Sequence, residues 1–456
     1  MCAAALPFVV HDRSLYALLL RPPSSDVLYR LCWRSILHEL HAPRLCTLQA
    51  CLLLQQRLPS TDNPTNLYLH DTAFAWSLMS TAVSVAQTLG LHREPSSWIT
   101  IPAWERRLRR RLWWTLWTTE TWVALARGMP RLLGRADEDD QDTDVQPLGP
   151  LDMLAADTLS ATTSGTAQSQ PYLLHLVRLT TILAGIQRAY YTLRGSKRTS
   201  RHLARAMEVG RPLHARLQAW SEDLPEDLRF RSRSRSSSSR FTINSILASA
   251  QSSHHDNGSE GSVDHNVNQQ SPPPPQHLDG NASLHLSYIV THMMLFRALL
   301  RPLGLRSGQQ GHQEHGNSPS SNSSSTADDN DNDALHHAVT RGALLCVREF
   351  VEFVEALTPT QWNAFWHGWS RASFSMAGSF IVYLLHVVTV RVAEEKGLVA
   401  RPGFEDEYRE LLAWIRRWRW ASRVSVHGAA GAKGLTNLML LRVETFLGEL
   451  GELCEL

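Results

Sequence analysis

No Cys-x-x-Cys pair occurs in the chain, and six cysteines (Cys2, Cys32, Cys46, Cys51, Cys346 and Cys454) are spread thinly over 456 residues. A thiolate metal centre needs ligands at short spacing, and a secreted disulfide scaffold needs many cysteines in a short chain. This distribution argues against both and fits a reducing compartment. The closest pair, Cys46 and Cys51, falls in the apolar stretch Leu45 to Leu54 and reads as buried thiols. An excess of charge is lacking too: 45 basic residues face 43 acidic ones, a net charge of +2. That balance gives no chain-wide attraction to nucleic acid, which needs a concentrated basic surface. Long hydrophobic runs are missing. The best candidate span, Phe374 to Val390, is short, carries Ser375, Gly378, Ser379 and His386, and reads as a core helix rather than a membrane crossing. Met1 to Val10 has no basic region before it, so no signal peptide is read. No nucleophile elbow, phosphate loop or zinc-protease motif is present, and no pair of carboxylates can be nominated by spacing. No catalytic, metal or cofactor-binding residue is therefore assigned, and no cofactor is expected in this chain.

What is present is apolar and rich in tryptophan: 43% hydrophobic residues and 15 Trp. Indoles bury large areas, so this density implies substantial packing. Two stretches fall outside that description. Arg231 to Ser283 opens with alternating Arg and Ser and closes on Pro272 to Pro275, and Ser307 to Asp333 is Gly, His, Ser, Asn and Asp. Neither buries enough apolar surface to offset backbone entropy, and both are expected to be disordered insertions. Elsewhere the pattern is helical. Asp71-Thr72 offers an N-cap, apolar residues recur at Ala75, Leu78, Met79, Ala82, Val85, Ala86 and Leu89, and Gly90 stands where a left-handed C-cap would. The next helix has Pro102 in its first turn and Glu105 near its positive end. Its expected buried stripe is Trp104, Leu108, Leu112 and Leu116, with Trp113 and Trp117 alongside, and Gly128 and Pro130 end it. Tyr172 to Leu193, Arg201 to Trp220, Leu284 to Leu303, Ala334 to Leu357, Phe374 to Glu394, Glu405 to Trp420 and Leu435 to Leu450 read the same way. The fold class is all-α: a multi-helix domain of stacked helix pairs with two disordered insertions. In domain terms, residues 1–230, 284–306 and 334–456 form one body, and residues 231–283 and 307–333 loop out.

Several clusters invite a sharper reading. Arg106, Arg107, Arg109, Arg110 and Arg111 could serve nuclear import or DNA contact, against a plain solvated face in which Glu105 and Arg109 pair at i,i+4. The acidic run Asp137, Glu138, Asp139, Asp140, Asp142 and Asp144 lacks the central glycine and closing glutamate of a calcium loop and reads as a solvated loop. Histidines at His254-His255, His312, His315 and His336-His337 lie mostly in the low-complexity stretches and cannot preorganise a metal site there. Consecutive helical residues lie roughly 100° apart, so Trp113 and Trp114 cannot face one core. One is expected to pack inside and the other to meet a second layer, an effector pocket or a partner. The Arg-Ser run from Arg231 to Arg240 is a flexible linker or a phosphorylation target.

The segment from Met79 to Arg93, ending Ala86-Gln87-Thr88-Leu89-Gly90-Leu91-His92-Arg93, is followed by Trp104-Glu105-Arg106-Arg107-Leu108-Arg109-Arg110-Arg111-Leu112-Trp113-Trp114. It resembles the middle homology region of fungal zinc-cluster transcription factors, whose pattern is Ala-x-x-Leu-Gly-Leu-His-Arg, then Arg-x-x-x-Trp-Trp, then Gly-Arg-Pro. Leu40-His41-Ala42-Pro43 through Ala50, Leu284-His285-Leu286-Ser287-Tyr288 through Leu303, and Phe365-Trp366-His367-Gly368-Trp369 resemble further parts of that region. The resemblance makes Leu89, Gly90, Leu91, His92, Arg93, Trp104, Glu105, Arg111, Trp113, Trp114, Gly128 and Pro130 signature positions, structural or regulatory. The wording around Trp104, with Pro64-Thr65-Asn66 upstream, is most similar to the branch that controls nitrogen-source utilisation. Two departures stand out. Gly128-Met129-Pro130 replaces Gly-Arg-Pro, which removes the middle arginine unless Arg127 or Arg131 substitutes. The family's six-cysteine zinc cluster, through which DNA would be bound, is not in this sequence. The resemblance implies a nuclear, non-enzymatic regulator of metabolic genes, with zinc only in that cluster. It also implies transcription regulators or a metabolic effector as partners, homodimerisation as an option, and no membrane. The alternative is a stand-alone helical ligand-binding or interaction module that no longer acts on DNA.

Overall fold

A computed structural model describes residues 1–12, 17, 23–57, 70–134, 145–153, 171–230, 280–309, 325–397, 404–428, 435, 436, 439 and 445. Helices are the regular structure among them, and no strand occurs in these residues. After an N-terminal turn come α1 (Ser25–Glu39), α2 (Leu45–Gln55), α3 (His70–Thr88) and α4 (Ala103–Arg127). Then follow α5 (Pro171–Ile186), α6 (Leu193–Thr199) and α7 (Leu203–Glu222). The remaining long helices are α8 (Asn281–Gln309), α9 (Ser325–Ala356), α10 (Ser370–Gly397) and α11 (Phe404–Gly428), with a single helical turn over Pro359–Trp362 between α9 and α10.

The ends of α3 and α4 show why their glycines are where they are. Gly90 has φ +70°, the Leu91 N–H donates to the Ala86 carbonyl at 2.9 Å, and the Gly90 N–H donates to Gln87 at 3.0 Å. Gly128 repeats this at φ +63°, with Met129 bonded to Ala124 at 3.0 Å and Gly128 to Leu125 at 3.2 Å. Both are Schellman motifs, which need a residue comfortable in the left-handed region. Leu91, just past the first stop, is buried and anchors the exit of the chain.

The helices enclose two apolar cores. The first is built by α1 to α4 from Ile36, Leu48, Cys51, Leu52, Leu78, Met79, Leu112, Trp113 and Leu116. The second and larger one is built by α5 and α7 to α11, with Leu183, Ile186, Leu217, Leu295, Phe350, Phe374 and Trp418 among its members. In it α8 packs on α10, α9 on α11, and α7 on both α5 and α8. Helix α4 serves both cores, because Trp113 lies in the first and Trp122 in the second. By length and composition alone Asn281–Pro302 and Ser370–Val392 could cross a membrane. Their apolar windows are 83% and 61% buried inside the body, as expected of core helices.

Some sequence-level boundaries shift. The first expected insertion overlaps α8: Ala282 and Ser283 are each 1% exposed. Helix α8 continues to Gln309, and α9 opens at Ser325, so the second insertion is helical at both ends. The rest of both stretches lies outside the described residues. The single helix read over Tyr172 to Leu193 breaks. A π-turn over Gln187–Tyr191 follows α5, and Thr192 turns extended to cap α6 by accepting from the Gly195 N–H at 3.0 Å. Of Leu435 to Leu450, residues 435, 436, 439 and 445 are described, and all four are helical.

Candidate regulatory site along the tryptophan helix

The N-terminal half of α4 is fastened to the end of α3 and to two following loops. Arg109 pairs with Glu105 at 2.9 Å, donates to the Leu89 carbonyl at 3.0 Å, and lies over the Trp98 ring. A guanidinium thus satisfies an orphan carbonyl in the last turn of α3, where the helix dipole also favours a cation. Arg106 donates to the Trp98 carbonyl at 3.0 Å. Arg110 is the hub. It bonds Glu94 at 2.9 Å and the Ser96 hydroxyl at 2.8 Å, and its Nη1 meets Asp152. Burial opposes ionisation of Glu94, but bonds from Ser96, Gln146 and Arg110 outweigh it and hold the carboxyl below the usual range. Three of the five clustered arginines are thus occupied within the chain.

The expected stripe needs one correction. Trp104 is 48% exposed, while Leu112, Trp113 and Leu116 are buried and Leu108 is half-buried. Arg109 marks where α3 ends alongside α4. Trp104, more than a turn earlier, projects past that end and has less of a neighbouring helix to pack against. The tryptophan doublet divides as helical geometry requires. Trp113 is 3% exposed in the first core, its ring 6.5 Å from that of His92. Trp114 is half-buried against the small cluster of Leu148, Met153 and Val177, and its Nε1 donates to the Gln146 carbonyl at 2.9 Å.

Of the signature positions, Leu89 to His92, Glu105 and Trp113 are brought together at the α3–α4 elbow. Arg93 is exposed beside it, its N–H bonded to the Gly90 carbonyl at 3.2 Å. Trp104 and Arg111 do not join that network, and Gly128 and Pro130 sit at the far end of α4. There, Arg131 rather than Met129 makes the contacts. It grips Glu120 with two bonds of 3.0 and 2.9 Å and lies 4.8 Å from the Trp117 ring centre. Glu120 is fully buried and also accepts the Leu132 N–H at 2.6 Å. Burial pushes its carboxyl pKa up, and the Arg131 guanidinium opposes that.

Into the second core α4 sends Trp122, which stacks on Trp369 at 5.9 Å, and Trp369 stacks on His367 at 4.1 Å. The Trp122 Nε1 donates to Thr180 at 3.0 Å, and the Tyr172 hydroxyl lies 3.0 Å from the His367 Nε2. Burial pushes His367 down to about 3, so its ring is neutral. The adjoining Gly368 donates to the Gln56 side chain at 2.9 Å, and a Cβ there would come within 2.3 Å of the Gln55 carbonyl. This segment is therefore clamped to the end of α2, joining the two cores a second time. Sequence reasoning missed Glu94, Glu120 and Asp152, because Arg110 and Asp152 stand 42 positions apart and no local pattern links them.

Among the described residues, no group of three or more His, Cys, Asp or Glu is arranged to hold a metal. The acidic run at 137–144 and the histidines at 254, 255, 312 and 315 lie outside the described residues, while His336 is buried. Cys46 is exposed, against the expectation of a buried thiol, because its place in the first turn of α2 faces away from the core. Cys51 is buried as expected, and burial raises its thiol to about 11. An open groove between α3 and the α1–α2 turn is lined by Leu40, Pro43, Ser80, Thr81, Ser84, Val85 and Thr88. The hydroxyls of Ser80, Thr81 and Thr88 bond back to α3 carbonyls, so few polar groups face an occupant.

Residues 15–199 match the fungal specific transcription factor domain, a span that covers α1 to α6. The chain is 23% identical over 435 residues to the transcriptional activator protein DAL81 of Saccharomyces cerevisiae, covering 88% of this chain and 35% of that protein. It is 31% identical over 184 residues to the acetamidase regulatory protein of Aspergillus oryzae, covering 40% of this chain and 20% of that protein. It is 34% identical over 101 residues to the cutinase transcription factor 1 beta of Fusarium vanettenii, covering 22% of this chain and 10% of that protein. The chain thus spans about a third or less of the length of these curated relatives. No solved structure matches it. The elbow and the tryptophan helix both lie within the span that matches the fungal specific transcription factor domain.

Proposed function

We infer that this chain, which carries a fungal specific transcription factor domain, is the regulatory body of a nuclear transcription regulator of metabolic genes, nitrogen-source genes first among them. The observation that carries this reading is the domain match over residues 15–199, joined to the 88% of the chain that aligns with a transcriptional activator. The body acts by contact rather than catalysis. DNA would be reached through a zinc cluster of the family type, which is also where zinc would sit. Helix α4 suits a regulatory part because it is shared by both cores, so a partner or effector that shifts one core strains the other. Other transcription regulators, a metabolic effector or a second copy are its partners.

The test is to tether the chain to an unrelated DNA-binding module in a fungal host carrying a matching reporter. The tethered chain should change reporter output severalfold, up or down, and the change should depend on the nitrogen source. Output equal to that of the module alone on every nitrogen source would overturn the assignment.

A further inference from the structure

The five arginines of α4 divide into two groups. Arg106, Arg109 and Arg110 are bonded to carbonyls or carboxylates of the chain itself. Arg107 and Arg111 are not: among the described residues neither has a hydrogen bond or ion pair, and the Nε of each is buried without an acceptor. The acid that acts on Arg111 is Asp152, whose two oxygens already accept from Arg110 and from the Gly149 N–H. Burial lowers the Arg111 pKa, and repulsion from Arg107 lowers it further, with Asp152 pulling weakly the other way. Buried charged donors without acceptors are costly and are rarely left so, which makes this pair incomplete as it stands.

The two guanidiniums are one turn apart on one face, separated by roughly 6 Å along the axis at 1.5 Å per residue. Trp104 lies on that same face, three and seven residues before them, and is 48% exposed. We propose that Trp104, Arg107 and Arg111 form a docking stripe for an acidic peptide segment of a partner protein, two carboxylates pairing with the arginines and an apolar side chain resting on the indole. The spacing fits such a segment: alternate residues of an extended strand are roughly 6.6 Å apart, close to the Arg107–Arg111 separation. A nucleic-acid backbone, an unbroken run of phosphates, fits less well than two carboxylates, since only two guanidiniums of α4 are unengaged and the chain is only +2 overall. The inference stands apart from the transcriptional reading, because it concerns binding by the isolated chain.

The probe is a fluorescein-labelled dodecapeptide of alternating aspartates with two leucines, titrated with the full chain and read by anisotropy. Saturable binding is expected, weakened roughly tenfold or more by Arg107→Gln, by Arg111→Gln and by Trp104→Ala, as for loss of a charged pair or a contact anchor. The peptide with Asn in place of Asp should not bind. Arg205→Gln, which alters an exposed pair with Glu208 on α7, should bind as the parent does. Both arginine variants should melt no lower than the parent, since each relieves a repulsion, which separates lost binding from lost folding. Equal peptide affinity for parent and stripe variants would overturn the proposal. So would a labelled DNA duplex whose binding falls with these variants while the peptide does not bind.

Discussion

Trp113 is 3% exposed in the first core, yet its indole Nε1 reaches no acceptor among the described residues. The ring therefore contributes by packing alone, and its N–H is a burden on the fold. Trp113→Ala should cost about 3–5 kcal/mol, the usual range for a core aromatic, out of a total stability of about 5–15 kcal/mol. Trp113→Phe keeps much of the contact area and removes a donor whose burial costs about 1–3 kcal/mol, so it should fall within about 1.5 kcal/mol of the parent. Trp114→Ala loses a half-buried ring and the bond to Gln146, a loss of about 1–2 kcal/mol. The expected order of damage is Trp113→Ala, then Trp114→Ala, then Trp113→Phe. Urea unfolding followed by circular dichroism reads it directly, provided the slopes match so that midpoints compare. Trp113→Phe losing as much as Trp113→Ala would mean that the indole N–H has a partner. Trp114→Ala losing more than Trp113→Ala would refute the division of the doublet. In the tethered format, Trp114→Ala should remain folded and alter reporter output.

At the far end of α4, Arg131→Ala strands the buried Glu120 carboxylate with only the backbone donors of Leu132 and Leu133, and about 3–5 kcal/mol should be lost; adding Glu120→Leu should restore more than half. A thermal-melt loss under about 1 kcal/mol for the single variant would show that the pair is not held as described. Burial pushes both His214 and His367 down to about 3, so each is neutral in the fold but protonated in the unfolded chain below about pH 6.5. A depressed base gives stability above its unfolded pKa that is lost as pH falls toward its folded pKa. The unfolding free energy from urea melts should therefore decline from pH 6.5 to 5, by about 1 kcal/mol per pH unit for each histidine. Burial also opposes protonation of His292, but Cys346 and Glu349 outweigh it and raise the ring to about 10, so it offsets the decline by only about 0.4 kcal/mol in that window. His367→Phe should flatten the decline, and a parent profile flat between pH 5 and 7 would refute the argument.

The helices were legible where one residue type carries one meaning. Gly90 and Gly128 mark left-handed stops whatever surrounds them, and both stand in Schellman motifs. The split of Trp113 from Trp114 followed from the angle between consecutive side chains. What escaped was set by partners distant in sequence. Trp104 looked like the start of a buried stripe because its spacing fits, but burial also requires a neighbour, and α3 ends alongside Arg109. The arginine cluster looked uniform because charge alone does not say which guanidinium meets Glu94 or Asp152. The break after Ile186 was hidden for a similar reason. The apolar period of α5 continues through Tyr190, which is buried and donates to the Ala206 carbonyl at 2.6 Å, so the pattern gave no sign of the π-turn.

Coupling between distant parts of a protein requires an element that both parts bias, and α4 meets that requirement in its packing. With 25 residues it is roughly 38 Å long at 1.5 Å per residue, and its middle turns hold the first core while Trp122 enters the second. Cores packed at crystal-like density transmit displacement rather than absorb it. A load on the first turns, where Trp104, Arg107 and Arg111 lie, must therefore be relieved either at the Arg110 hub or farther along the helix. The hub resists: Glu94, Ser96 and Asp152 hold Arg110 from two separate loops. The far end resists as well, through the buried Glu120–Arg131 pair and the stack of Trp122, Trp369 and His367. The softest joint left is the clamp of Gly368 on the end of α2, which rests on one amide bond and the absence of a side chain. Motion between the two cores is therefore most easily taken up at that single bond, with α4 and the buried stack moving together and the end of α2 as the part that yields.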